Sequence, residues 1–183
     1  MASKTQATIE DLAHVPDYGK AELVNGELVF MCPTGGIPGY ADGEIFVGLR
    51  DYAQRTKTGY AFPDNVGFLV NLPNRRSLSP NAAFYTGALP GGQFLAGAPL
   101  FAAEVRSEGD FGPQAELEMA DKRADYFAAG TQVVWDVDSL RSQEIRKYSA
   151  GHPEHPVVFH RGELADAEPA LPGWWFAVDD LFP

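Results

Sequence analysis

Two stretches of this chain place their apolar residues at helical spacing, and the sequence around them breaks into short strand-like pieces. The first runs from about Tyr40 to Lys57, with Ile45, Leu49, Tyr52 and Ala53 on one face and Gly59 as its stop. The second runs from about Pro113 to Ala129, where Leu117, Ala120, Ala124 and Phe127 form the apolar stripe and Gly130 supplies the end. Candidate strands lie between them at 59–62, 66–72, 81–85 and 100–106, separated by loops rich in Pro, Asn and Gly. Beyond the second helix, 132–137 reads as a buried strand and 144–148 as a half-exposed one. A further strand near 156–160, a hairpin-like Arg161-Gly162 and a terminal turn at 178–182 complete the chain. Strands interleaved with two long helices predict an α/β fold, with one mixed central sheet flanked by helices.

The N-terminal part adds two local signals. Thr8-Ile-Glu-Asp11 resembles a capping box, which predicts a short helix over 8–14. The apolar runs 21–24 and 27–31 are joined by Asn25-Gly26, and this pair predicts a β-hairpin because both turn positions need positive φ. The Gly-rich loop 87–97 lacks the Gly-Lys-Ser/Thr ending of a phosphate loop and reads as a plain connection.

At 183 residues the chain suits one domain spanning 1–183. A 45% hydrophobic content excludes disorder. No apolar run approaches the ~20 residues needed to cross a bilayer, and one cysteine, Cys32, allows no internal disulfide. A soluble, cytoplasmic protein with no membrane partner is the expectation. The net charge of −11 argues against tight, metal-free binding of nucleic acid, although carboxylates that gather divalent cations also raise the negative count. Arg75-Arg76, Arg141 and Arg146-Lys147 read as solvated loops and strand edges.

No Gly-x-Ser-x-Gly elbow is present, Cys32 has no motif partner, and no cofactor motif is visible. His152, His155 and His160 are interrupted by prolines and read as a solvated loop rather than a metal site. Glu104 is more informative, because it ends the otherwise apolar strand Leu100-Phe-Ala-Ala-Glu104. A lone buried carboxylate is costly, so it needs a cation, a donor or water beside it. Lys122, in the following helix, is a candidate partner, and an ordinary salt bridge would satisfy the same requirement.

In order along the chain stand Ala21-Glu-Leu-Val-Asn-Gly-Glu-Leu-Val29, Asp64-Asn-Val-Gly-Phe-Leu69, Ser79-Pro-Asn-Ala-Ala-Phe84 and Ala103-Glu-Val-Arg-Ser107. Asp121-Lys-Arg-Ala-Asp-Tyr126, Gly130, Val134-Trp-Asp-Val-Asp138, Leu171-Pro-Gly173 and Asp180-Leu-Phe182 follow. By these pieces the chain resembles, from about residue 8 to 182, the Uma-two family of proposed endonucleases. That family lies within the PD-(D/E)XK, restriction-endonuclease-like superfamily.

The resemblance implies an αβββαβ core in which strand acids hold Mg²⁺ or Mn²⁺ for cleavage of nucleic acid, DNA rather than RNA, with a homodimer expected. Carried over by position, Glu104 is a metal ligand, Lys122 is the family's lysine, and Glu22 is a site or structural acid of the hairpin. Position 106, two residues after the glutamate, is Arg. The chain departs from the family at 81, where Ser-Pro-Asp is replaced by Ser79-Pro80-Asn81. Asn81 offers the metal one neutral carbonyl oxygen in place of a charged carboxylate, so affinity and rate should fall. Asp64 or Glu44 could compensate, and the segment 37–44 lacks the histidine that many relatives carry. The leading expectation is a metal-dependent endonuclease of weakened or lost activity. Its rivals are a non-catalytic binding or assembly module and an unrelated small-molecule enzyme.

Overall fold

The computed structural model describes residues 6–15 and 19–183. The expected domain span 1–183 therefore includes residues, 1–5 and 16–18, that lie outside the described ones. Thr8 caps helix α1 (Ile9–Ala13) through a reciprocal capping box. Its hydroxyl accepts from the Asp11 N–H at 3.2 Å, and Asp11 Oδ2 accepts from the Thr8 N–H at 2.7 Å. Strands β1 (Lys20–Val24) and β2 (Glu27–Met31) form the hairpin. Asn25 and Gly26 take φ of 51° and 75°, as its two-residue turn requires.

Helix α2 (Gly36–Thr56) begins at Gly36 rather than near Tyr40. Pro38 falls in its first turn, where an N–H has no intrahelical acceptor and its absence costs little. The helix stops at Lys57, which adopts the left-handed conformation with φ of 58°, before Gly59 is reached. Strands β3 (Tyr60–Phe62), β4 (Phe68–Leu69), β5 (Ser77–Leu78), β6 (Ala82–Tyr85), β7 (Leu95–Ala96) and β8 (Phe101–Val105) follow. Helix α3 (Pro113–Ala129) has the expected bounds and ends on Gly130, whose φ of 109° suits a residue without Cβ. Strands β9 (Val133–Asp138), β10 (Glu144–Ser149), β11 (His152–His160), β12 (Leu164–Asp166) and β13 (Trp175–Ala177) precede a 3₁₀ turn over Val178–Leu181.

The central sheet has six strands in the order β11-β10-β9-β8-β6-β3. Only β8 and β9 pair in parallel within it, and α3 makes the crossover that a parallel pair needs. Read along the chain, α2, β3, β6, β8, α3 and β9 give the αβββαβ order. Three smaller sheets accompany it, β1-β2, β12-β13 and β5-β4-β7, where a single sheet was expected. The loop 87–97 is thus more than a connection, since β7 lies in it. Arg161-Gly162 joins β11 to β12, but these strands pair with β10 and β13, so no hairpin forms there. His152, His155 and His160 lie exposed on edge strand β11, together with Pro153 and Pro156, and not in a loop.

Both faces of the sheet are covered. On one face Ile45, Leu49 and Tyr52 of α2, with Leu171, Trp174, Phe176 and Leu181 of the tail, pack on Phe84, Phe101, Val133, Trp135 and Val137. On the other, Tyr126 of α3 and Phe68, Leu78 and Leu95 of the small sheet pack on Ala83, Ala102 and Val134. Strand β9 is consequently buried along its whole length, as a near-continuous apolar run demands. The stripe expected on α3 is not the one it buries. Leu117, Ala120 and Ala124 are exposed and Phe127 is half-buried, while Asp125 and Tyr126 turn inward. Among the described residues no helix is long and apolar enough to cross a membrane.

Candidate active site

Glu104 is the penultimate residue of β8, at the carboxyl end where strands of open α/β sheets present their ligand-binding groups. Strand parity turns it to the α3 side, in register with Asp136 of β9. The side chain is 7% exposed, so its charge must be met by protein. Lys122 Nζ lies 2.9 Å from each of its oxygens and also 3.1 Å from Glu22 Oε1. Tyr126, one helical turn beyond Lys122, donates its hydroxyl proton to Glu104 Oε1 at 2.5 Å. Glu104, Lys122 and Glu22 therefore meet at one end of the sheet.

Glu22 arrives there because the hairpin docks along residues 74–79. Arg76 N–H donates to the Leu23 carbonyl at 2.8 Å, and Leu23 N–H donates to Ser77 Oγ at 2.8 Å. The Glu22 carboxylate accepts from the Ser79 N–H at 2.8 Å and forms an ion pair with Arg75. Arg75 also donates to Asp125 Oδ2 at 2.6 Å. Arg75 was expected on a solvated loop and is instead buried, clamped between two acids. With its oxygens so engaged, Glu22 joins the hairpin to the site as much as it lines it.

Asn81 stands immediately before β6, with its N–H bonded to the Ala103 carbonyl at 3.1 Å. Its Oδ1 accepts from the Val105 N–H at 2.9 Å, so the side chain is fastened to the backbone beside Glu104 rather than to Glu104 or Lys122. Arg106 is spent on structure: it is 2% exposed, donates to both Asp136 oxygens at 2.6 and 2.7 Å, and pairs with Glu116. Lys122 is the lysine that contacts Glu104. Burial alone would lower its pKa, but the adjoining charges of Glu104 and Glu22 outweigh burial and hold it above the ordinary lysine value. It is an ammonium at neutral pH. Burial, followed by the same two carboxylates, keeps the Tyr126 phenol protonated well above its usual range.

Of the two acids considered as substitutes for position 81, Asp64 is held by Lys20 at 2.5 Å, and Glu44 is half-buried on α2. The acid that sequence reading missed is Asp42. It lies on the buried face of α2 with Ile45 and Leu49, 9% exposed, and its Oδ1 is buried with no hydrogen-bond partner among the described residues. The start of α2 is at the same end of the sheet as Glu104, since Thr34 Oγ1 and Ser107 Oγ are 2.7 Å apart. Burial first, then the charge of Asp64, raises the Asp42 pKa from 3.8 to about 7; Lys20 opposes this and Glu104 adds to it.

The available donors are oxygens of carboxylates and one amide, the set that a hard divalent cation accepts. Among the described residues no three Asp, Glu, His or Cys side chains are grouped so as to hold a metal. The donors thus do not form a closed cage. Their chemistry is that of a site where Mg²⁺ or Mn²⁺ is bound by one or two carboxylates, with waters and phosphate completing the shell.

The family model described as "Uma2: Putative restriction endonuclease" matches residues 7–179. The crystal structure of a "putative nuclease belonging to DUF820 from Anabaena variabilis ATCC 29413" is similar, with a TM-score of 0.75 at 16% identity. The likeness covers 96% of this chain and 97% of that one, and at such identity it concerns the fold, an α/β architecture with a mixed central sheet. No curated protein matches the chain.

Proposed function

The chain belongs to the Uma2 family described as putative restriction endonucleases, and from that membership we propose that it is a metal-dependent endonuclease of DNA with a weakened metal site. The observation that carries this reading is the Lys122 ammonium, held 2.9 Å from Glu104 at the carboxyl end of β8. Glu104 and the Asn81 carbonyl would hold Mg²⁺ or Mn²⁺, which when bound neutralises phosphate charge and acidifies water. Lys122 remains charged and stabilises negative charge that develops on phosphate oxygens. It is unsuited to removing a proton, because its partners keep it protonated. The Tyr126 hydroxyl and Lys122 together fix the orientation of the Glu104 carboxylate. Glu22 anchors the Ser79 backbone and thereby the position of Asn81. A homodimer accords with this reading, since two strands of a duplex must be cut.

A second reading, a nuclease fold kept as a binding or assembly module, is favoured by one observation. The single oxygen that Asn81 could give a metal already accepts the Val105 N–H. Calorimetric titration with Mn²⁺ and cleavage assays on supercoiled and single-stranded DNA separate the two. The endonuclease reading expects Mn²⁺ binding and cleavage by the native chain, both lost in Glu104→Gln. A native chain that neither binds Mn²⁺ nor nicks DNA would leave the module reading in its place.

A further inference from the structure

Strands β8 and β9 run parallel, so the loops that leave them open at the same end of the sheet, the end that carries Glu104 and Lys122. One loop brings Phe111 and the other Arg141, whose guanidinium lies 3.8 Å from the centroid of the Phe111 ring. A run of contacts joins this pair to the candidate site. Glu104 stands in register with Asp136, Asp136 accepts from Arg106 at 2.6 and 2.7 Å, and the Arg106 guanidinium lies 5.7 Å from the same ring. The turn that presents Arg141 is fastened at its base. There the buried Asp138 carboxylate accepts from the N–H groups of Leu140, Arg141 and Ser142 at 3.0, 2.8 and 3.0 Å.

Arg141 is exposed, and it differs from its neighbours in what holds it. Arg106, Arg146 and Arg161, on the adjoining strands and loops, each have a carboxylate partner, in Asp136, Glu144 and Asp179. Arg141 has none among the described residues, and the acid next to Phe111, Asp110, is turned to the Ser107 N–H at 2.7 Å. A ring stack occupies the face of a guanidinium and leaves its five N–H donors at the rim, in a fork that suits phosphate. The stack also steadies a long side chain, so less freedom is lost when an anion binds there. We propose that Arg141, seated on Phe111, binds a backbone phosphate of the DNA strand that enters the Glu104–Lys122 site, beside the phosphate to be cleaved. This rests on the endonuclease reading above. One contact of this kind accords with a net charge of −11, because it sets where the strand lies while divalent metal supplies most of the affinity.

The test has a binding arm and a cleavage arm, both on the full chain in Mn²⁺. Binding of a short DNA duplex is titrated at several salt concentrations with the catalytically disabled Lys122→Met chain, with and without Arg141→Gln. Cleavage of supercoiled DNA by the native chain, Arg141→Gln and Arg161→Gln gives KM and kcat. Arg161→Gln is the control, since it removes an equal charge from a guanidinium already paired with Asp179. Arg141→Gln is expected to weaken duplex binding about tenfold and to reduce the slope of log K against log salt by about 0.9, the share of one phosphate contact. KM should rise with it, while kcat and Mn²⁺ affinity stay within about twofold of native, as should KM in Arg161→Gln. Losses of equal size in the two variants would trace the effect to overall charge and overturn the proposal. Unchanged KM and salt slope in Arg141→Gln would overturn it as well, and the endonuclease reading survives either result. A lower melting temperature with reduced kcat and native KM would make Arg141 a structural residue, again against the proposal. A native chain that neither binds Mn²⁺ nor nicks DNA overturns both readings before any variant is made.

Discussion

Asparagine and aspartate at position 81 have nearly the same shape, and the bond from the Val105 N–H uses an oxygen that both possess. In Asn81→Asp the second terminal atom becomes a carboxylate oxygen in place of an amide nitrogen, and a full negative charge is added beside Glu104. Mn²⁺ affinity measured by calorimetry is expected to rise about tenfold, equivalent to ~1.4 kcal/mol. Without metal the same charge repels Glu104, so the variant should melt below the native chain in chelator and above it in excess Mn²⁺. Asp42 gives a pH signature of its own. Its carboxyl pKa is raised from 3.8 to about 7, so between those values the folded chain holds a proton that the unfolded chain has released. The contribution to stability is complete below about pH 4 and is lost as pH rises through about 7. Asp64, Lys20 and Glu104 are the charges that face it. Asp42→Asn should therefore leave metal-free stability unchanged at pH 4 and raise it at pH 8, on the order of 2 kcal/mol by denaturant titration. Equal stability gains at both pH values would contradict burial of this carboxylate. Glu104 and Lys122 were legible in the sequence because one ends an apolar strand and the other lies in a recognisable helix motif. Asp42 was not, although it lies within the expected helix three residues before Ile45, because an acid at that spacing carries no local sign of burial and only apolar residues were read as the inward face.

Helix α3 shows how a helix serving a site departs from apolar periodicity. Its bounds were readable from Pro113 and Gly130, but its inward face was not, because the groups it turns to the sheet are Lys122, Asp125 and Tyr126. These polar side chains are paired by residues far away in sequence, which no window along the helix can reveal. Leu117, placed in the expected stripe, is 61% exposed. Leu117→Gln should consequently change unfolding free energy by no more than about 0.5 kcal/mol. Arg75 is the converse case, a charge assigned to solvent that is in fact buried between Glu22 and Asp125. Arg75→Leu leaves two buried carboxylates short of a partner and should cost on the order of 3 kcal/mol. Urea denaturation of both variants checks the pair of expectations, and a larger loss in Leu117→Gln than in Arg75→Leu would reverse the assignment of the buried face. Strand β9 and the Asn25-Gly26 turn were predictable because their signals are local: continuous apolar burial and a φ requirement. The two-residue strands β5 and β7 were not, since they exist through pairing with β4.

At the scale of the whole molecule, a net charge of −11 sets the conditions under which DNA could be held. An acidic chain gains little from release of counterions, so affinity for duplex should depend on divalent metal rather than on basic patches. Gel-shift titration of a catalytically disabled Lys122→Met variant is expected to show no retained duplex in chelator. Binding in Mn²⁺ should weaken as monovalent salt rises, and firm metal-free binding would speak against this picture.

The outer margin of the central sheet bears on how the protein survives at high concentration. Strand β11 spans nine residues at the sheet's edge, and Val157 and Val158 on it are exposed. A long exposed edge that carries an apolar run invites another chain to add a strand and propagate into aggregate. Pro153 and Pro156 carry no N–H, so they interrupt the row of donors that an incoming strand would need. The register shift between Lys147 and Ser149 also breaks the regularity of the margin. Replacing both prolines with threonine should convert the edge into a template, with light scattering rising on storage while the active-site end of the sheet is unaltered. The same prolines that spoil a histidine metal motif thus act as gatekeepers against fibrillar self-association.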